Sequence, residues 1–173
     1  MNALTRAEGL APSAGLLLVS GDGVRLAEWR PGRAEDVLRL EFPPLEQHEL
    51  RGPAHARPRT TTQAAPGTHS GSQRDLYERR ELLHRQGFVR EAAAEVMGIA
   101  EQRGWEALVV LGDPRLSHAA MEVLRRGRLP VVESDVIVAW LSPHELADRA
   151  APIVEAAVNA PGRQRPRRAT SRG

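Results

Sequence analysis

The chain has 173 residues, no cysteine and a formal net charge of +2. A chain of this length can bury one substantial core, and without cysteine it can form neither a disulfide nor a thiolate metal site. No stretch approaches the roughly 20 apolar residues that span a bilayer, and residues 1–13 lack the apolar core of a signal peptide. The composition therefore indicates a soluble, cytoplasmic protein without a membrane segment.

Charge is distributed unevenly along the chain. Residues 1–50 hold 5 Arg and 8 acidic residues, whereas residues 51–90 hold 8 Arg and 3 acidic residues. Residues 91–160 are acidic again, with 6 Arg and 11 acidic residues, and residues 161–173 hold 5 Arg and no acidic residue. A basic centre and a basic tail indicate a polyanionic partner, most often nucleic acid.

The first third of the chain predicts a three-stranded antiparallel meander. Residues 1–13 have no periodic pattern and are expected to be disordered. The predicted strands occupy residues 15–20, 24–30 and 37–42. From residue 45 to residue 72, prolines and glycines interrupt any regular element, so this segment is predicted to be a long, flexible, basic loop.

The next segment predicts one long helix with two unlike halves. This helix is predicted to begin at Gln73 or Arg74 and to end at Arg103. Residues 88–100 carry an apolar stripe at helical spacing, whereas residues 74–86 are mostly charged. We therefore predict that the C-terminal half packs on the core and that the N-terminal half projects from it.

The rest of the chain alternates strands and helices. Strands are predicted at residues 107–111, 129–132 and 136–141, and a helix at residues 116–126. A last helix is predicted to start after Ser142, with Glu145 completing a capping box, and to end near Asn159. Residues 160–173 are rich in Arg and are expected to be disordered. A meander followed by β-α-β-α alternation predicts an α/β fold, with helices layered on a mixed β-sheet.

The tripeptide Gly71-Ser72-Gln73 stands where the loop meets the long helix. Together with the later segment RQGFVREAA (residues 85–93), it resembles the middle domain of the archaeo-eukaryotic class-1 peptide release factors, which carry Gly-Gly-Gln at the start of a long helix. The order of elements is similar over about residues 16–158. The segment GDPR (residues 112–115) resembles bacterial, especially actinobacterial, release-factor-like proteins related to the Vms-type peptidyl-tRNA hydrolases of ribosome quality control.

The resemblance implies a release-factor middle-domain-like fold over residues 14–159, with the tripeptide at the tip of a projecting helix. It also implies a codon-independent peptidyl-tRNA hydrolase at the peptidyl-transferase centre of stalled or split ribosomes. Gln73 would position the attacking water, while Gly71 and Ser72 shape its backbone. The implied partners are large-subunit rRNA and peptidyl-tRNA, with no metal and no small-molecule cofactor. Because the sequence has no codon-reading domain, we expect no recognition of stop codons.

Phosphate contacts to RNA are expected from basic side chains around the tip. The residues are Arg57, Arg59, His69, Arg74, Arg79, Arg80 and Arg85. The alternative is a solvated helix face, in which Glu78 and Glu81 pair with arginines three or four residues away.

Other interpretations of the tip stay open from the sequence alone. Ser72 replaces the second glycine of the release-factor tripeptide and tolerates positive φ less well. The tripeptide could also be an ordinary loop with a serine N-cap. The protein could be a non-catalytic ribosome-binding or RNA-binding factor, or it could cleave near the tRNA 3′ end.

A third interpretation is an unrelated α/β enzyme that uses Asp113 at a strand end. A Gly-Asp-Pro segment is more often a loop that starts a helix. The six histidines are scattered without metal-ligand spacing.

Overall fold

The computed structural model describes residues 11–45, 69–136 and 141–160, and for residues 69–72 it describes the backbone alone. The termini predicted to be disordered, over residues 1–13 and 160–173, and the predicted basic loop over residues 45–72 lie largely outside the described residues.

Within the described residues, the chain forms a five-stranded mixed sheet, so the predicted α/β class is confirmed. The strands are β1 (Ala14–Val19), β2 (Gly23–Arg30), β3 (Arg33–Glu41), β4 (Ala107–Gly112) and β5 (Val131–Ser134). They lie in the order β3-β2-β1-β4-β5. Strand β2 is antiparallel to β1 and β3, as the predicted meander requires, whereas β4 is parallel to β1 and β5.

Helices cover both faces of this sheet. In the described part of the chain they are α1 (His69–Arg103), α2 (Pro114–Leu124) and α3 (Pro143–Asn159). The C-terminal half of α1 and helix α2 pack on one face, through residues such as Val96 and Leu116. Helix α3 packs on the other face through residues such as Leu146. Every residue of the central strands β1 and β4 is buried, as expected for strands covered on both faces.

Local sequence signals explain how α2 and α3 begin. Asp113 caps α2, because its carboxylate accepts a hydrogen bond from the backbone N–H of Arg115 at 2.9 Å, and Pro114 occupies the first turn. The interpretation of Asp113 as part of a helix start is therefore confirmed. Ser142 and Glu145 form the predicted capping box of α3.

Some strand boundaries differ from prediction for local reasons. Strand β3 begins at Arg33 rather than residue 37, because the turn after β2 pairs Arg33 with Arg30. Strand β5 begins at Val131 rather than residue 129, since Pro130 has no N–H to donate to the ladder. The strand predicted at residues 136–141 falls mainly on residues 137–140, which lie outside the described residues.

The start of α1 is the largest correction. The sequence places it at Gln73 or Arg74, whereas the helix begins at His69. The tripeptide Gly71-Ser72-Gln73 therefore lies in the first turns of α1 rather than on a loop before it. Because the helix begins at His69, neither Ser70 nor Ser72 is its N-cap. A helix that is nucleated by packing elsewhere extends readily, because each further residue adds one backbone hydrogen bond.

Candidate functional site

The N-terminal part of α1 extends beyond the domain core. The side chains of residues 73–80 are all exposed, and Val89 is the first buried side chain along the helix in its described part. Packing against the core starts at the partly buried Leu82. We call residues 69–81 the arm; at 1.5 Å per residue it is about 20 Å long. The predicted division of the helix into a projecting half and a packed half is confirmed.

One side of the arm's base rests on the end of β3. The rings of Phe42 and Phe88 meet edge to face, with their centroids 5.5 Å apart. The guanidinium of Arg85 lies 5.5 Å from the centroid of the Phe42 ring. His84 Nε2 lies 3.3 Å from the carbonyl oxygen of Pro43.

The other side of the base rests on the start of α2. The side-chain amide of Gln86 donates a hydrogen bond to the carbonyl oxygen of Arg115 at 3.2 Å. One helical turn later, Arg90 Nε lies 3.0 Å from a carboxylate oxygen of Glu122. Because contacts hold the base on two sides, the core fixes the direction in which the arm leaves the domain.

Gln73 lies in the second turn of α1, with its side chain exposed. In a regular helix that begins at His69, the N–H groups up to Gly71 lack an intrahelical partner, whereas the N–H of Gln73 bonds to the carbonyl of His69. The unpaired N–H groups also form the positive end of the helix dipole. Because its backbone N–H is occupied, Gln73 can orient a water molecule through its side-chain amide, and donors to an oxyanion would be the unpaired N–H groups up to Gly71.

The arginines of the arm and of its base differ in their ion pairs. Arg74 Nε lies 3.0 Å from Glu78, and an Arg85 guanidinium nitrogen lies 2.6 Å from Glu81. The Arg74 pair is exposed and the Arg85 pair is about one third exposed. Pairs of this kind contribute only about 0–1 kcal/mol, so an RNA phosphate can compete with either carboxylate. Arg79 makes no ion pair with any described residue.

The structure describes only some of the other residues that were predicted to contact RNA. Arg80 is exposed on the arm. Arg57 and Arg59 lie outside the described residues, and for His69, Gly71 and Ser72 the backbone alone is described. The structure thus brings Gln73, Arg74, Arg79 and Arg80 together on one exposed segment, with Arg85 at its base.

Three exposed apolar side chains on the arm and at its base are missing from the sequence-based site. Leu76 is 55% exposed, Tyr77 46% and Leu83 59%. The signal was present in the sequence, because residues seven apart, such as Leu76 and Leu83, share one helix face. The burial pattern is needed to show that this face points away from the core.

An open groove of about 810 Å³ lies beside the base of the arm. Its lining includes Arg25, Arg39, Phe42 and Arg85, whereas Asp113 is not part of it. Arg25 is paired with Asp36 at 2.7 Å. The groove therefore gives no support to a small-molecule enzyme that uses Asp113.

The described ranges contain neither a metal-binding cluster nor a membrane-spanning helix. No group of three His, Asp or Glu side chains there could hold a metal ion. No helix in these ranges is long and apolar enough to cross a membrane.

Residues 2–161 match the family model of bacterial archaeo-eukaryotic release factor family 10. The chain belongs to this family. The resemblance to archaeo-eukaryotic release factors is thereby confirmed, and membership in the family supports a release-factor-type, ribosome-associated role. Among curated proteins, no sequence matches this family member significantly.

Solved structures similar to this family member include two archaeal proteins. One, described as an archaeal protein, has 13% identity and a TM-score of 0.36, over 83% of this chain and 38% of that chain. The other is the archaeal translation termination factor aRF1, with 14% identity and a TM-score of 0.35, over 83% of this chain and 39% of that chain. The chain thus spans about two fifths of the length of each structure. Similarity of this degree establishes neither a shared activity nor a shared partner.

Proposed function

We propose that this release-factor family member is a codon-independent peptidyl-tRNA hydrolase. It acts at the peptidyl-transferase centre of stalled or split ribosomes, as a ribosome rescue or quality-control factor. Its partners are large-subunit rRNA and peptidyl-tRNA, it needs no small-molecule cofactor, and it works in the cytoplasm. Residues 14–159 form the catalytic domain.

One observation carries the proposal: in a member of a release-factor family, Gln73 is exposed on a helical arm that leaves the core. The arm is narrow, since a single helix with its side chains is about 10–12 Å across. A narrow projection of about 20 Å can enter an RNA-lined site that the body of the domain cannot. The exposed arginines of the arm suit the phosphates along such a path.

In the proposed reaction the arm positions a water molecule and does not itself transfer a proton. The amide of Gln73 orients a water molecule toward the ester carbon of peptidyl-tRNA, which lowers the entropic cost of the attack. Unpaired N–H groups of the first helical turn, near Gly71, stabilise the developing oxyanion. The surrounding RNA provides the rest of the catalytic environment.

The test is release of labelled peptide from purified stalled ribosome complexes. Wild-type protein is compared with Gln73→Ala, and Gln102→Ala is the matched control, because Gln102 is also exposed on α1 but lies about 43 Å from Gln73 along the helix axis. We expect Gln73→Ala to lose peptide release by about 100-fold or more, the loss typical of a catalytic hydrogen-bonding group. Gln102→Ala should keep wild-type release. Equal release by wild type and Gln73→Ala would remove Gln73 from the mechanism.

A non-catalytic role of the same arm is the second candidate. The observation that favours it is the helical conformation of the tripeptide, because regular helix geometry occupies the N–H of Gln73. In this case the arm would occupy a ribosomal site, as in hibernation or rescue. Ribosome binding would then survive Gln73→Ala, and wild-type protein would release no peptide.

The bond that is cleaved can be read from the same reaction. Ester hydrolysis leaves the tRNA with an intact 3′ end, whereas cleavage near the 3′ end shortens it. Denaturing gel analysis of 3′-terminal fragments therefore separates the two reactions.

A further inference from the structure

The arm has an apolar face that points away from the domain. At about 100° per residue, Gln73, Leu76, Tyr77, Arg80 and Leu83 fall within an arc of about 120°. We call these five residues the outward face. The buried residues further along α1, such as Val89 and Val96, lie on the opposite side of the helix.

The outward face is distinct from the rest of the solvent-facing side of α1. Further along the same side, the exposed residues are Glu91, Ala94, Glu95, Gly98, Glu101 and Gln102, none of which is a large apolar residue. In the described residues, the exposed large hydrophobic side chains are Leu76, Tyr77 and Leu83. Exposed apolar groups are thus concentrated around the arm, which indicates a docking surface rather than scattered surface residues.

Tyr77 is the aromatic side chain that this surface offers. It is the only tyrosine in the sequence, and it is exposed on the arm. By contrast, Trp29 and Trp105 are buried, and Phe42 and Phe88 pack against each other. An exposed aromatic ring next to arginines is the combination on which proteins stack unpaired RNA bases.

The charges on and beside the outward face favour RNA over an apolar protein partner. Arg80 lies between Leu76 and Leu83, and Arg79 borders the face. An apolar protein interface would bring apolar side chains against the Arg79 guanidinium at the border of the face, and removing a charge from water in this way is costly. Single-stranded RNA offers phosphates to the arginines and flat base surfaces to the ring and the leucines.

We propose that the outward face binds single-stranded RNA and that Tyr77 stacks on an unpaired base. Gln73 and Tyr77 are four residues apart, so their Cβ atoms lie about 5–6 Å from each other. A base stacked on Tyr77 would therefore lie close to the peptidyl ester that Gln73 faces, an assignment that rests on the proposed function.

The binding test uses a fluorescently labelled single-stranded RNA of about ten nucleotides that ends in the tRNA acceptor sequence CCA, together with purified large ribosomal subunits. Anisotropy and co-sedimentation measure affinity for wild type, Tyr77→Ala, Tyr77→Phe and Tyr77→Leu. We expect Tyr77→Ala and Tyr77→Leu to weaken RNA binding roughly tenfold and Tyr77→Phe to keep wild-type affinity. Leu83→Ala is the control on the same face and should have a smaller effect.

A second measurement separates stacking from a general loss of structure or charge. Far-ultraviolet circular dichroism should show unchanged helix content, and the slope of log affinity against log salt should be the same for Tyr77→Ala and wild type, because tyrosine neutralises no phosphate. Full RNA affinity in Tyr77→Leu would overturn stacking and assign the face to an apolar contact. Equal affinity of wild type and Tyr77→Ala for both probes would overturn the proposal altogether. These affinities do not depend on peptide release, so a failure of the hydrolase assay leaves this result interpretable.

Discussion

Glu28 is the side chain that ties the end of α1 to the sheet. It is buried on β2, and its carboxylate accepts hydrogen bonds from Arg103 at 2.8 Å and from Trp105 Nε1 at 3.1 Å. Arg30 Nε donates to the other carboxylate oxygen at 2.8 Å. Because Arg103 is the last residue of α1, this cluster anchors the packed end of the helix, opposite the arm.

Burial by itself raises the pKa of Glu28, but the hydrogen bonds from Arg103, Trp105 and Arg30 outweigh it and hold the pKa below its usual value of 4.5. The carboxylate therefore contributes stability that is present above pH 4.5 and is lost as the pH falls through the lowered pKa. We expect Glu28→Gln to reduce the free energy of unfolding at pH 7 by about 1–3 kcal/mol. Urea unfolding at pH 7 and at pH 3 measures the difference in the free energy of unfolding between Glu28→Gln and the wild type.

The difference between Glu28→Gln and wild type should shrink at the lower pH, since protonation weakens the same bonds in the wild type. Glu133→Gln is the control, because Glu133 is exposed. A Glu28→Gln protein as stable as wild type at pH 7 would show that the cluster does not stabilise the fold.

At the scale of elements, α1 combines a packed half and a projecting half. Its base is held by Phe42 and Pro43 on one side and by α2 on the other. Gly87 lies among these contacts, between Gln86 and Phe88, and two residues before Val89, the first buried residue of the described part of α1. Since a glycine inside a helix lowers its stability, Gly87 weakens the helix at the junction of its two halves.

Replacement of Gly87 tests whether this junction is a continuous helix. A Cβ atom added at Gly87 would meet no atom within 4 Å, and alanine favours the helix over glycine by about 1 kcal/mol. We expect Gly87→Ala to raise the free energy of unfolding by about 0.5–1 kcal/mol, measured by urea denaturation. Gly98→Ala, in the packed half and equally free of contacts, should give a similar gain. A loss of stability confined to Gly87→Ala would mean that the junction bends in solution.

At the scale of the whole molecule, the N-terminal part of α1 and the rest of the chain differ in charge. Residues 69–90, which include the arm, hold 5 Arg and 3 acidic residues, whereas residues 91–160, which supply most of the second half of the fold, hold 6 Arg and 11 acidic residues. An acidic body repels an RNA surface, so the charge pattern favours approach with the arm first. This polarity fits the proposed entry of the arm into the ribosome.

Salt dependence provides a whole-molecule test of this orientation. We expect affinity for large ribosomal subunits to fall as salt rises, and Arg79→Ala to reduce the slope of log affinity against log salt by about 1. Arg126→Ala is the control, because Arg126 is exposed beyond the end of α2, away from the arm. A reduced slope for Arg126→Ala with an unchanged slope for Arg79→Ala would place the RNA contact on the body instead.

Much of the fold was predictable from local sequence because its signals act over a few residues. The alternation in β2, the Asp113-Pro114 start of α2 and the Ser142 capping box each depend on neighbours in the chain, and the structure confirms them. The start of α1 was predicted wrongly because the loop-like composition around Gly71 suggests a break. Helix propagation from the packed half overrides that weak local preference.

By itself, the sequence determined most of the strands and helices, the resemblance to the family and the choice of Gln73 as the candidate tip residue. These depend on periodicity, caps and short motifs, which are local. The tertiary structure alone decided which face of the arm is exposed. It also decided which groups meet Glu28, because Arg103 and Trp105 lie 75 and 77 residues away along the chain. The exposure of Tyr77 was decided in the same way, since the side of a helix that becomes the surface is set by what packs against the other side.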